Sequence, residues 1–164
     1  MKLVWELLLF CGVFTLMVKY AVRGGAIDGL YFYPKEVQDR AIEIGLTDRE
    51  TMNEKKKWFM PSFFTVMTVL LVGIIAAVNQ VKDFKTAYLQ ALLFLEVMNW
   101  YDGIVIDKVW VGCDRFWLLP GTEDLPYIQT WKQVWRKRMT LSLIWIAGAA
   151  IVALLVVLSR SLIC

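Results

Sequence analysis

No histidine occurs in the 164 residues of this chain. The commonest general base, the commonest transition-metal ligand and the usual near-neutral pH switch are therefore missing together. Serine–histidine hydrolysis, histidine-ligated haem and zinc-peptidase chemistry are excluded. The three cysteines, Cys11, Cys113 and Cys164, stand far apart and form no C-x-x-C pair, so disulfide exchange has no dithiol to work with and the thiols read as structural. Charged residues make up only 20% of the chain, below the roughly 25% usual in soluble domains. Internal repeats, low-complexity tracts and long flexible linkers are absent as well.

Apolar side chains fill the space that charge leaves. The chain is 59% hydrophobic and 14% aromatic, with a mean hydropathy of +0.54, the composition of a membrane protein rather than a soluble one. A hydrocarbon core of about 30 Å needs roughly 20 apolar residues in a helix. Segments 3–22, 61–81, 86–111 and 139–158 meet that length. The first is expected to be retained rather than cleaved as a secretory signal, because it runs a full span, holds Glu6 and ends in Tyr20-Ala21-Val22-Arg23 instead of a small-residue cleavage site. The expected fold is an all-α integral membrane protein, one domain over residues 1–164, with four transmembrane helices and two helical loops.

Basic residues set the expected orientation. The long loops 23–60 and 112–138 carry Arg23, Lys35, Arg40, Arg49, Lys55, Lys56, Lys57, Arg115, Lys132, Arg136, Lys137 and Arg138, against Lys2, Lys82, Lys85 and Arg160 on the other side. The positive-inside rule then puts both long loops in the cytoplasm and both termini outside a cell membrane. Because the formal charge of +3 is modest and the basic residues stand beside apolar runs, anionic lipid headgroups fit better as a partner than nucleic acid.

The first long loop reads as a helical hairpin over about 34–58. Pro34 opens one helix and Gly45 closes it, and Thr47 with Glu50 forms a capping box for a second. Val37, Ala41 and Ile44 recur at i, i+4 and i+7, an apolar face that either lies on the bundle or the bilayer or docks a protein partner. In the second long loop Pro120-Gly121 suits a type II turn, Thr122, Glu123 and Asp124 suit a helix N-terminus, and Ile128, Trp131 and Trp135 share a face of an interfacial helix over about 126–138. Gly73-x-x-x-Ala77 and Ala149-x-x-x-Ala153 are small-residue faces that suit close helix contact and suggest a homo-oligomer.

The third span is the polar one. At 100° per residue from Glu96, Asp107 falls at about 20°, Asn99 at about −60° and Asp102 at about −120°. An ionised carboxylate near mid-span costs at least about 2.5–3.5 kcal/mol, so Glu96 is expected to face the bundle, protonated or paired, with Lys19 as the expected counter-charge. Two readings stand. Glu96, Asn99, Asp102 and Asp107 either line an acidic cavity that takes a cation or a polar, lipid-like ligand from the cytoplasmic side, or they bond the spans together, with Asp107 paired to Lys19, Lys108 or Arg115. An enzyme alternative sets Asp102, Asp107, Glu123 and Asp124 around a divalent cation acting on a lipid-like substrate. A third possibility is an accessory subunit of a larger complex, docking through residues 34–58.

Tyr33-Pro34-Lys35-Glu36-Val37-Gln38, Asp102-Gly103-Ile104-Val105-Ile106-Asp107 and Pro120-Gly121-Thr122-Glu123-Asp124 are similar to segments of small uncharacterised four-span membrane proteins of Gram-positive bacteria. That resemblance implies the same architecture and brings no activity with it.

Overall fold

The computed structural model describes residues 1–161, all helical or irregular and without strands; Cys164 lies outside the described residues. Helix α1 covers Lys2–Ala21, α2 Lys35–Glu43, α3 Arg49–Gly73, α4 Phe84–Tyr101 and α5 Trp131–Ser161. Four helices are long and apolar enough to cross a membrane: Lys2–Ala21, Arg49–Val78, Phe84–Cys113 and Trp131–Ser159. Helix α1 packs on α3 and α4, α5 packs on the same two, and the broadest contact is α4 against α5.

Burial follows the helix period and leaves a greasy outer surface. In α1 the residues Glu6, Phe10, Phe14 and Val18 point inward at four-residue spacing, while Val4, Trp5, Leu8, Leu9 and Leu16 are exposed. Such a helix, apolar outside as well as inside, is compatible with a multi-pass membrane protein. Between α4 and α5 the fully buried residues include Ala87, Ala91, Ala149 and Ala153, small side chains that let two backbones approach. Ala149 and Ala153 are thus used within the chain, and they do not offer a face to a second copy.

The loop end departs from the expected hairpin. Helix α2 forms as anticipated and ends in a Schellman motif, with Gly45 N–H donating to Ile42 O and Leu46 N–H to Ala41 O; Gly45 takes the φ of +77° that this closure needs. No separate second helix follows, because α3 runs unbroken from Arg49 through Pro61 into the bundle. Its cap is Asp48, not Thr47: the Asp48 carboxylate accepts from Thr51 N–H and Thr51 Oγ1, both at 2.8 Å. Those bonds hold the Asp48 carboxyl below its ordinary pKa. Val37 and Ala41 are fully buried by the chain itself, so the face that seemed to call for a docking partner is already covered.

The second long loop corrects in the same way. Pro120-Gly121 makes the turn, with Gly121 at φ +77° and Thr122 N–H donating to Leu119 O, but no helix starts after Asp124. Thr122 is buried and its hydroxyl donates back to Leu119 O; Glu123 accepts from Gly121 N–H. The interfacial helix and the fourth span are one helix, α5, which begins at Trp131. Thr130 and Gln133 cap it reciprocally, Thr130 N–H donating to Gln133 Oε1 at 2.7 Å and Gln133 N–H to Thr130 Oγ1 at 3.3 Å.

Two helices widen where they carry polar residues. Helix α3 continues as a π-helical turn over Ile74–Val78, and α4 as a π-helical segment over Asp102–Trp110 before a last turn at Val111–Cys113. Hydrogen bonds there reach five residues back, as Asn79 N–H does to Ile74 O.

Candidate functional site

Arg138 is 1% exposed, the largest of the fully buried side chains. A buried guanidinium needs compensating charge, and α4 supplies two carboxylates. Arg138 Nη1 lies 2.6 Å from Asp102 Oδ2 and Nη2 lies 2.5 Å from Asp107 Oδ2. Lys137 Nζ reaches the same Asp107 oxygen at 3.3 Å. Two acids therefore face two bases, and the cluster is neutral rather than acidic.

The π-helical segment makes that geometry. In an α-helix residues five apart stand about 140° around the axis from one another, which put Asp102 and Asp107 on different faces in the sequence-based wheel. With i to i+5 hydrogen bonding the turn is wider and residues five apart come close to stacking, so both carboxylates meet one guanidinium. Gly103 completes the seat. A Cβ on Gly103 would stand 2.7 Å from Arg138 Nε and 3.1 Å from both Cδ and Cγ.

Below this cluster a polar ladder joins the two helices. Asn99 Nδ2 donates to Arg138 O at 3.0 Å and to Ser142 Oγ at 3.2 Å, and Ser142 Oγ donates to Glu96 Oε2 at 2.7 Å. Glu96 is thereby bonded across the helix pair, while Lys19, its expected counter-charge, is exposed. Asp107 pairs with Lys137 and Arg138 rather than with Lys19, Lys108 or Arg115. Lys108 instead donates to Gln129 O and lies over the Trp131 ring.

A cavity of about 270 Å³ opens beside the cluster at the end of the bundle that carries the long loops. Asn99, Asp102, Asp107, Lys137 and Arg138 form its polar side, and Phe14, Phe59, Phe63, Phe64, Trp117 and Trp145 are among the residues forming its apolar side. Three of the four residues expected to bind a ligand border it; Glu96 does not. Asp102 and Asp107 keep 25% and 18% of their side-chain surface exposed, and among the described residues the Oδ1 atom of each has no protein donor. Tyr33 and Tyr127 close the loop side. Tyr33 donates to Trp117 O at 2.8 Å, and burial, with Tyr127 adding to it, pushes its phenol pKa up, so it stays protonated.

The metal arrangement finds no support in this geometry. Asp124 pairs with Arg40 at 3.5 Å on the surface, Glu123 caps its own turn, and among the described residues no group of three or more carboxylate or thiol ligands is close enough to hold an ion. Sequence reasoning missed Arg138 and Lys137 as partners of α4. Both were taken for interfacial charges, although Arg138 is the last basic residue before an apolar run, where a helix packed against α4 turns it inward.

No family model, curated protein or solved structure matches this chain.

Proposed function

We propose that the chain is a multi-pass cell-membrane protein whose loop-end cavity binds the polar head of a lipid-like amphiphile. The observation that carries this is the pair of carboxylate oxygens left open on Asp102 and Asp107, held in place by a buried arginine at the edge of an aromatic cavity. A buried ion pair that served only as glue would use both oxygens or exclude solvent. Here Oδ2 of each aspartate is spent on Arg138, which fixes the carboxylates, and Oδ1 faces a space large enough for a headgroup.

The sign of the head follows from what is accessible. Arg138 is covered, so an anion has only the half-exposed Lys137 to meet, whereas an ammonium meets two carboxylates. Desolvated charge-assisted hydrogen bonds of this kind contribute roughly 1.5–3 kcal/mol each. The long loops that frame the cavity carry most of the basic residues, which supports a cytoplasmic mouth. The test is thermal stabilisation in neutral detergent by a long-chain alkylamine and by an alkyl sulfate of equal length. The amine stabilises the wild type and the sulfate does not, and Asp107→Asn or Asp102→Asn weakens the amine response about tenfold or more. Equal responses to both amphiphiles, unchanged in the asparagine variants, would overturn the proposal.

A further inference from the structure

Deeper in the bundle lies a second cavity of about 180 Å³, lined by Phe10, Met67, Leu71, Leu95, Val152 and others, almost wholly apolar. It shares Phe63, Phe64, Met98 and Trp145 with the loop-end cavity, so the polar space runs on into an apolar one. From Phe59 to Leu71 the two extend along about 18 Å of α3, at ~1.5 Å per residue. Phe64 and Ile151, which line the second cavity from α3 and α5, are also exposed on the outer surface of the bundle. The apolar space therefore has a side mouth between these two helices.

Two buried donors line this double cavity without acceptors. The indole Nε1–H of Trp117 beside the polar cluster, and that of Trp145 where the cavities meet, are both buried and have no hydrogen-bond partner among the described residues. A buried tryptophan N–H ordinarily finds an acceptor, and leaving one unmade costs about 1–3 kcal/mol. Both residues are the kind whose unmet need points to a missing ligand atom.

We propose that the bound amphiphile is a monoacyl phospholipid with an ammonium head. The inference rests on the head-binding reading above and extends it to the rest of the ligand. Its ammonium lies against Asp102 and Asp107, its phosphate oxygens accept from Lys137 and the Trp117 indole, its ester carbonyl accepts from the Trp145 indole, and its one chain fills the apolar cavity between α3 and α5. One apolar cavity takes one tail. A bare alkylamine satisfies the carboxylates and the apolar space but leaves both indoles unpaired, and it therefore binds more weakly.

Native mass spectrometry of the full chain in neutral detergent tests this with four probes: lysophosphatidylethanolamine, its diacyl counterpart, the tail-less glycerophosphoethanolamine, and an alkylamine of matched chain length. The lysolipid is expected to bind roughly tenfold tighter than the alkylamine, and the tail-less head at least tenfold weaker than the lysolipid. Trp145→Phe and Trp117→Phe, which keep an aromatic ring and remove the N–H, each lower lysolipid binding roughly two- to tenfold while leaving the alkylamine unaffected. Ile151→Trp at the exposed rim and Thr68→Phe within the cavity each reduce binding of long-chain more than short-chain lysolipids. If the alkylamine binds through Asp107 but the lysolipid gains nothing over it, or the diacyl lipid binds as well as the monoacyl one, this inference falls and the head-binding reading stands. If no probe binds, both fall. Chain-length dependence unchanged in both rim and cavity variants means lipid adhering to the outer surface, and overturns the tail assignment.

Discussion

The guanidinium of Arg138 occupies the space that a side chain on Gly103 would take, with Nε 2.7 Å from the position of the missing Cβ. The contact falls on the middle of the arginine side chain, which both aspartates hold from its far end. A shift of Arg138 would lengthen the 2.6 Å and 2.5 Å ion contacts.

Gly103→Ala is accordingly expected to destabilise the protein, although alanine is the better helix former by about 1 kcal/mol. Overpacking of this kind costs about 1–3 kcal/mol, enough to outweigh the propensity gain. Thermal unfolding in detergent measures it; a midpoint equal to or above wild type would show that Arg138 moves freely.

Arg138→Ala removes the positive partner of two half-buried carboxylates. Breaking a buried pair by deleting one member costs about 3–5 kcal/mol, and here two acids lose their main partner together. The double change Asp102→Asn with Asp107→Asn in the Arg138→Ala background is expected to recover much of that loss, since it removes the uncompensated charge. Comparison of the three unfolding midpoints checks it, and absence of any recovery would mean that Arg138 acts by packing rather than charge.

Glu96 now carries a different expectation from its neighbours. It accepts from Ser142 and stands outside the cavity, so Glu96→Gln keeps the interhelical bond and leaves amphiphile binding unchanged. Glu96→Leu loses about 0.6 kcal/mol, and up to about 1.7, as bonds between membrane helices do. Loss of ligand response in the glutamine variant, with stability retained, would bring this residue into the site after all.

Orientation is open to a direct measurement. Reporter fusions in the turn 79–83 between α3 and α4 and in the linker 46–48 before α3 are expected to report the outside and the cytoplasm respectively. The reverse pattern would turn the cavity mouth to the outer face.

Helix positions were legible in the sequence because they rest on local quantities. Apolar run length located four long helices, the positive φ required at Gly45 and Gly121 marked a helix end and a turn, and Val37 with Ala41 gave the buried face of α2. Helix ends were less legible. The 34–58 hairpin and the 126–138 helix were separated from the spans by charge and by proline, yet α3 and α5 run straight through, since a helix need not stop where its surroundings change from polar to apolar.

The third span's polar residues were also readable one by one, and Asn99, Asp102 and Asp107 do border a cavity. Their meaning was decided by tertiary structure. An ideal wheel separates Asp102 from Asp107, and only the change to π-helical hydrogen bonding, with Gly103 leaving room for a side chain from 35 residues further on, brings both to Arg138. Sequence by itself determines where charge is scarce and how long each helix can be, because composition and periodicity are properties of a single segment. Which acid meets which base depends on the rotation and register of two packed helices, a relation between segments, and that is why an apparently acidic span becomes a neutral, ion-paired site only in the folded chain.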